Sequence, residues 1–364
     1  MALPARASAL IVGGGPAGAA AAIALARAGQ KPRLLERTSG PHDTVCGAFV
    51  GWDSVAALRR LGIDPFALGG HPIHRLRLFG SGREVETRLP RTAAGLSRRC
   101  LDETLLAAAR AAGAFVDRGR SVRAADSARR TVRTDDGEEI GTDALLLATG
   151  KHELRGVARP RDTSGDPVGL RTALSPSKEL DAVLDGVIEL HLFDGGYAGL
   201  LLQEDGCANL CLSVQRWRLK RSGGIPNLVR ALSDEMPAFR ARLAHGEPVA
   251  WSAVSGVPYG WYARGTAPGL YRLGDQGAVI ASLAGDGIAI ALESAAEAAA
   301  AILAGHPAEA YQHRLGHRTA FPLLVAEGLR WSAERPVPRD LLMRLVSAFP
   351  SVPAFAARLT RVGG

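Results

Sequence analysis

The chain has 364 residues, 47% hydrophobic and 22% charged, a composition that excludes a disordered or fibrous protein and allows two or three compact units. A formal charge of +8 comes mostly from scattered arginine, and four cysteines without a CxxC pair exclude a disulfide scaffold and predict free thiols. No run of about 18 apolar residues occurs, since Asp286, Glu293 and Glu297 interrupt the best candidate at 278–304, and no basic-plus-apolar leader opens the chain. The expectation is a cytoplasmic protein with no nucleic-acid partner.

Ala9-Leu10-Ile11-Val12 is a short apolar run of buried-strand type, followed at once by Gly13-Gly14-Gly15-Pro16-Ala17-Gly18. Small and aliphatic residues fill 19–28, a helix-forming stretch that Gly29 stops. A second apolar stretch, 32–35, ends in Glu36. Strand, GxGxxG turn, helix, strand and acid stand in register for a dinucleotide. Gly13 allows the tight turn, Gly15 lets backbone approach a pyrophosphate, and Gly18 lets helix and strand close up. The helix start offers N–H donors to phosphates, and Glu36 is placed to accept from ribose hydroxyls. The Glu36-Arg37 pair favours FAD over NADP.

Thr44-Val45-Cys46-Gly47 precedes a helical pattern at 52–62. Two short runs, 76–79 and 84–88, flank Gly80-Ser81-Gly82 and predict a hairpin. Ser97-Arg98-Arg99-Cys100-Leu101-Asp102 leads into an Ala/Leu helix, and 143–150 reads as a buried strand ending in Ala148-Thr149-Gly150. Between 156 and 264 the pattern turns to strands at 168–174, 187–193, 197–203 and 208–214. Turns at Asp194-Gly195-Gly196 and Glu204-Asp205-Gly206 make the last three an antiparallel meander. Tyr197 on this meander is a candidate donor to a bound carbonyl or phenolate, while Cys207 and Cys211 share a strand face and default to core packing. Arg216-Trp217-Arg218 with Lys220-Arg221 reads as a solvated loop rather than a nucleic-acid or anionic-membrane footprint.

Gly269-Leu270-Tyr271-Arg272-Leu273-Gly274-Asp275 reads as a strand ending in Gly-Asp, and Gly285-Asp286-Gly287-Ile288 opens a long Ala-rich helix to about Leu303. An Asp at a strand end can bond a polyol hydroxyl, and a helix start can stabilise negative charge on a reduced ring. His313 and His317 have a chelating spacing, but Arg314 and Arg318 beside them favour an exposed basic face, so no metal is expected. From 308 to 364 helices are expected, broken at Pro322, Pro336-Val337-Pro338 and Pro350. Their apolar stripes would cover the core or make a peripheral membrane contact.

Together these stretches resemble the FAD-dependent oxidoreductase superfamily of para-hydroxybenzoate hydroxylase and geranylgeranyl reductase. The Gly269–Ile288 pattern is similar to its second FAD motif, in which the Asp meets the ribityl chain and pyrophosphate and the helix start faces the isoalloxazine. The Cys46-Gly47 segment and 52–62 helix look like those of geranylgeranyl reductases, where the Cys lies beside the flavin. Arg98 falls in an RxxLD-like motif that contacts FAD, and Gly150 in an ATG motif. The cofactor-binding set implied is Gly13, Gly15, Pro16, Ala17, Gly18, Glu36, Arg37, Cys46, Gly47, Arg98, Val122, Gly150, Asp275, Gly285, Gly287 and Ile288. Cys46 and Tyr197 are the catalytic candidates.

The fold expected is α/β: a Rossmann-like FAD-binding domain (1–70, 90–155, 265–307), an inserted antiparallel sheet domain for substrate (71–89, 156–264), and a helical C-terminal cover (308–364). A single GxGxxG–acid unit means that NAD(P)H docks only transiently as reductant. The function expected is an FAD-dependent monooxygenase acting on a small apolar, lipid-like molecule. The alternatives are a carbon–carbon double-bond reductase or dehydrogenase of the geranylgeranyl reductase type, and a non-catalytic flavin-binding protein. Against hydroxylation stand Thr149 and Ala281, where hydroxylases carry Asp and Pro. The Trp-x-Trp-x-Ile-Pro signature of flavin halogenases is absent.

Overall fold

The computed structural model describes residues 6–159 and 167–362. Expectations for 1–5, 160–166 and 363–364, including the absent leader and part of the 156–264 insert, lie outside the described residues. In chain order come β1 (Arg6–Val12), α1 (Pro16–Arg27), β2 (Arg33–Glu36), β3 (Phe49–Val50), α2 (Trp52–Arg60), β4 (His71–Gly80), β5 (Arg83–Gly95) and α3 (Arg98–Ala111). There follow β6 (Phe115–Arg118), β7 (Val122–Asp126), β8 (Thr131–Thr134), β9 (Glu139–Leu147) and β10 (Val168–Leu174). Next are α4 (Lys178–Leu184), β11 (Val187–Phe193), β12 (Gly196–Leu202), β13 (Ala208–Val214), α5 (Arg216–Ser222), α6 (Ile225–Glu235) and α7 (Pro237–Ala244). The chain finishes with β14 (Ser252–Val254), β15 (Leu270–Arg272), α8 (Gly287–Leu303), α9 (Ala308–Ala333), α10 (Pro336–Ala348) and α11 (Val352–Leu359).

One sheet orders its strands β6–β2–β1–β9–β8–β7, with β15 also paired to β9. Strands β6, β2, β1, β9 and β15 run parallel, while β7, β8 and the start of β9 form an antiparallel ribbon. Both faces of the parallel part are covered, which is why these strands read as unbroken apolar runs. Ala9, Ile11 and Leu146 meet α1, α3 and α8 on one side. Leu10, Val12, Leu145 and Leu147 meet Val132, Ile140 and Leu154 on the other. Ala19, Ala21 and Ala22 of α1 and Ala295 and Ala298 of α8 are all fully buried in the first of these clusters. Side chains this small let the two helices lie close together.

The second sheet orders β14–β10–β13–β12–β11–β4–β5–β3. It is antiparallel except between β11 and β4, which run parallel. No short turn joins these two strands, so nothing local fixes their relative direction. On one face Ala198, Leu200, Leu210 and Leu212 pack with Leu228, Leu232 and Phe239 of α6 and α7. On the other, Leu190, Leu192 and Tyr197 meet Met343 and Val346 of α10. The arrangement is therefore a Rossmann-like FAD-type domain carrying an inserted, mainly antiparallel sheet and a helical C-terminal region.

Several details differ from expectation. β3 and the last residues of β5 (Ala93 to Gly95) join the second sheet, so this sheet takes strands from 49–50 and 93–95, inside segments assigned by sequence to the FAD domain. A Cβ at Gly95 would lie 1.9 Å from the Leu202 carbonyl oxygen, a close crossing of chain segments that no pattern in the sequence announces. The basic run at 216–221 is the short helix α5, not a loop. Cys207 precedes β13, its N–H donating to Asp205 at 3.0 Å, so it does not share a strand face with Cys211. Helix α9 continues through Pro322, because Leu315, Leu323 and Ala326 on both sides of the proline are fully buried and hold the helix together despite the missing N–H.

Candidate active site

The carboxyl ends of β1, β2, β9 and β15 open on one cleft of about 610 Å³, the place where open parallel sheets bind ligands. After β1 the chain turns at Gly13 with φ +106°, where a Cβ would lie 2.4 Å from the Ala148 carbonyl oxygen. At Gly18 a Cβ would lie 1.9 Å from the Gly13 carbonyl oxygen. Neither position admits a side chain, so the turn closes tightly on β9 and α1 on the turn. Helix α1 starts at Pro16 with Gly15 as its N-cap, and no side chain caps its first N–H groups. Glu36 accepts from Gly14 N–H at 2.7 Å through one oxygen, and from Thr38 N–H at 2.9 Å and Thr38 Oγ1 at 2.8 Å through the other. Burial favours its neutral form, but these donors outweigh burial and lower its pKa, keeping it a carboxylate.

Ser97 caps α3, accepting from Cys100 N–H at 3.0 Å, and so fixes the first-turn residue Arg98. Arg98 forms a two-point pair with Asp102 at 2.8 and 2.7 Å, and its Nη2 lies 3.2 Å from where a Gly15 Cβ would stand. Burial opposes its charge, the Asp102 carboxylate prevails, and its pKa is raised. A permanent cation therefore stands at the mouth of the glycine turn. Arg118 Nη2 and Arg120 Nε, on two more cleft-lining residues, are buried without a hydrogen-bond partner. A cradle without Cβ atoms, an uncapped helix start, a fixed cation and unpartnered guanidinium nitrogens suit the phosphates of a dinucleotide.

Further along, Gly47, Gly150, Asp275, Gly285, Gly287 and Ile288 line the same cleft, and Cys46 lines it within reach of the Arg98 side chain. Lys151 Nζ lies 3.1 Å from Asp275 Oδ2, and that carboxylate raises the lysine's pKa against the effect of burial. Asp286, the residue before α8, turns inward to Arg361 Nη1 at 2.7 Å and Val362 N–H at 2.9 Å, leaving the start of α8 open to the cleft. Asn209 donates to the Cys46 carbonyl at 3.1 Å, tying the cysteine loop to β13. Tyr259 and Ser282 line the wall, with hydroxyls 2.8 Å apart. Burial raises the Tyr259 pKa, so its phenol stays protonated. Cys211 also faces the cleft, and burial first, then Cys46, pushes its pKa up to about 12.

Every sequence-assigned cofactor residue borders this cleft except Gly18, which packs behind the turn. Val122 and Arg37 belong to the lining, and Arg37 Nη2 also lies 3.0 Å from His152 Nε2. Tyr197 does not reach the cleft. Its ring packs in the core under α10, and its hydroxyl meets Ser282 and accepts from Leu283 N–H at 3.1 Å. Tyr259, one hydroxyl further out, occupies the place foreseen for it. Asp102 closes the RxxLD-like motif, whereas Lys151, Cys211, Tyr259 and Ser282 carry no motif of their own. Only Lys151 gave a signal, as one of four lysines and the residue directly after Gly150.

Residues 6–144 match the FAD binding domain family. Menaquinone reductase of Mycobacterium tuberculosis is 30% identical over 307 residues, 78% of this chain and 74% of that protein. Digeranylgeranylglycerophospholipid reductase 2 of Methanopyrus kandleri is 28% identical, covering 77% of this chain and 72% of that protein. Among solved structures, the flavin-dependent brominase Bmp2 superposes with a TM-score of 0.79 at 14% identity, over 98% of this chain and 93% of that one. A geranylgeranyl bacteriochlorophyll reductase-like protein from Thermoplasma acidophilum gives 0.75 at 18% identity, over 94% and 91%. Fold and cleft are those of an FAD-dependent oxidoreductase. The chain belongs to the para-hydroxybenzoate hydroxylase and geranylgeranyl reductase superfamily.

Proposed function

We infer that this enzyme reduces a carbon–carbon double bond in an isoprenoid-bearing lipid, with NAD(P)H docking transiently as the reductant. The observation that carries this reading is the hydroxyl chain Tyr259–Ser282–Tyr197 at the cleft wall, in a protein whose curated relatives are reductases of menaquinone and of a digeranylgeranyl phospholipid. FAD, when bound, would supply the electron pair, and a carbon–carbon double bond that takes hydride on one carbon needs a proton on the other. The protonated Tyr259 phenol stands in the wall to deliver it. Ser282, hydrogen-bonded to both phenols, orients Tyr259 and links it to the buried Tyr197. Arg98 and the glycine turn would hold the dinucleotide, with Lys151, Asp275 and Cys46 lining the same cleft.

Oxygen transfer, expected first from the sequence, stands second. What favours it is the apolar wall of Val254 and Val257, which would keep water from a reactive oxygen. The test is strictly anaerobic turnover of the holoenzyme with NADPH and, separately, menaquinone and a digeranylgeranyl lipid. The expected product, after exposure to air to return any quinol to quinone, is heavier by two hydrogens in its isoprenoid chain. Tyr259→Phe should slow its formation by about tenfold or more without loss of flavin. No reduced chain from either lipid would contradict the reading.

A further inference from the structure

Eight of the eleven large apolar side chains that stand exposed among the described residues fall between 321 and 355, on α9, α10, α11 and the link after α10. They recur at helical spacing: Phe321, Leu324 and Trp331 on α9, and Val337, Leu341 and Leu345 on α10. Each helix also has a buried side, so these are outward rows of segments already packed on the molecule. The rows meet at the α9–α10 turn, where the Arg335 guanidinium lies 4.7 Å from the Trp331 ring centroid. A concentration of this kind on one part of a surface marks an interaction site.

We propose that this face docks on an anionic lipid bilayer. The charge around the apolar rows selects that partner. Residues 308–362 hold eight arginines against four acids. Arg335 and Arg358 are exposed and have no carboxylate partner among the described residues. Helix α5 adds exposed Lys220 and Arg221, and it starts beside the end of α9, where Gln215 donates to Glu334 at 2.8 Å. Aromatic and aliphatic side chains among unpaired arginines suit the boundary of a negatively charged membrane, where apolar groups enter and cations meet headgroups. A second copy of the chain would bring the same positive charge against itself. The face also adjoins the cleft. Helix α9 packs on the turn that holds Ser282, and the segment after α11 is pinned by Arg361 and Val362 to Asp286, just before the α8 residues that line the cleft. A lipid substrate would thus enter from the bilayer on which the enzyme sits.

That last consequence rests on the reading under Proposed function, whereas the docking itself does not. The test is flotation of the full-length, FAD-loaded protein with vesicles of phosphatidylcholine alone or mixed with phosphatidylglycerol. The wild type should float with the anionic vesicles, less with the zwitterionic ones, and less again at high salt. The double variant Leu324→Glu with Leu341→Glu should lose binding by about tenfold or more while keeping its flavin absorbance. If those glutamates unfold the helices, Arg335→Gln with Arg358→Gln supplies the independent check, lowering binding to anionic vesicles by about tenfold. Failure of the wild type to float with anionic vesicles overturns the proposal. So does undiminished flotation of folded variants, or a dimer that the glutamates dissociate in a protein that never floats. Because flotation needs no turnover, flotation without isoprenoid reduction would sink the functional reading alone.

Discussion

The two sheets bury their polar groups in opposite ways. The parallel sheet fills both faces mainly with Ala, Ile, Leu and Val, gathers polar groups at the cleft along its carboxyl ends, and buries single arginines elsewhere, Arg33 of β2 and Arg272 of β15. The mixed sheet carries a charged layer on its face under α7. Glu189 of β11, fully buried, pairs with Arg77 of β4 at 2.8 Å, Arg242 of α7 at 2.9 Å and His191 at 3.1 Å, with Phe79 stacked on the His191 ring. One sheet is therefore specified by close backbone approach and the other by a charge network. Steric sites fail outright when violated, while ionic sites fail by degrees and with pH.

The largest effect is expected where a Cβ has no room. Gly18→Val should yield protein that retains no flavin, read as loss of the yellow absorbance after gel filtration. Retained flavin would show that the glycine turn is not the cradle. Next comes Glu189→Ala, which takes the fully buried carboxylate from the half-buried Arg77 and Arg242 and should cost about 3 kcal/mol in urea unfolding. A near-neutral result would reduce the charge layer to a bystander.

The same residue makes a pH prediction. Its neighbours hold the Glu189 pKa down to about 2, against 4.5 for an ordinary glutamate. Its contribution is therefore complete above about pH 4.5 and is lost as pH falls toward 2. The wild type should lose stability over that window more steeply than Glu189→Gln does. The smallest effect belongs to a helix end: Ser97→Ala should cost about 1 kcal/mol, because one N–H at the start of α3 loses its acceptor. A cost concentrated in FAD affinity instead of stability would mean that the cap serves mainly to aim Arg98.

The same contrast explains what the sequence made legible. The cofactor half depends on glycines, a strand-end acid and strand–helix order, all local features with fixed spacing, so Gly13 to Gly18, Glu36 and Arg98 could be placed without coordinates. The strand pattern of the mixed sheet was also readable, apart from β3 and the end of β5, which join it through long-range pairing. Its chemistry was not. Glu189 and His191 look like the solvent face of an alternating strand until α7 covers them. Tyr259 and Ser282 come together only through tertiary packing between a loop and a short 3₁₀ turn, and Tyr197, which bore the sequence signal, is the buried partner behind them.

The central claim is that electrons from the flavin end on carbon and not on oxygen. The most direct measurement is the mass of the lipid product formed in a single turnover of reduced holoenzyme under isotopically labelled oxygen. The account predicts a product heavier by two hydrogens that carries no labelled oxygen, while the oxygen only drains electrons from enzyme without substrate. A product bearing one labelled oxygen atom would contradict it and restore the monooxygenase.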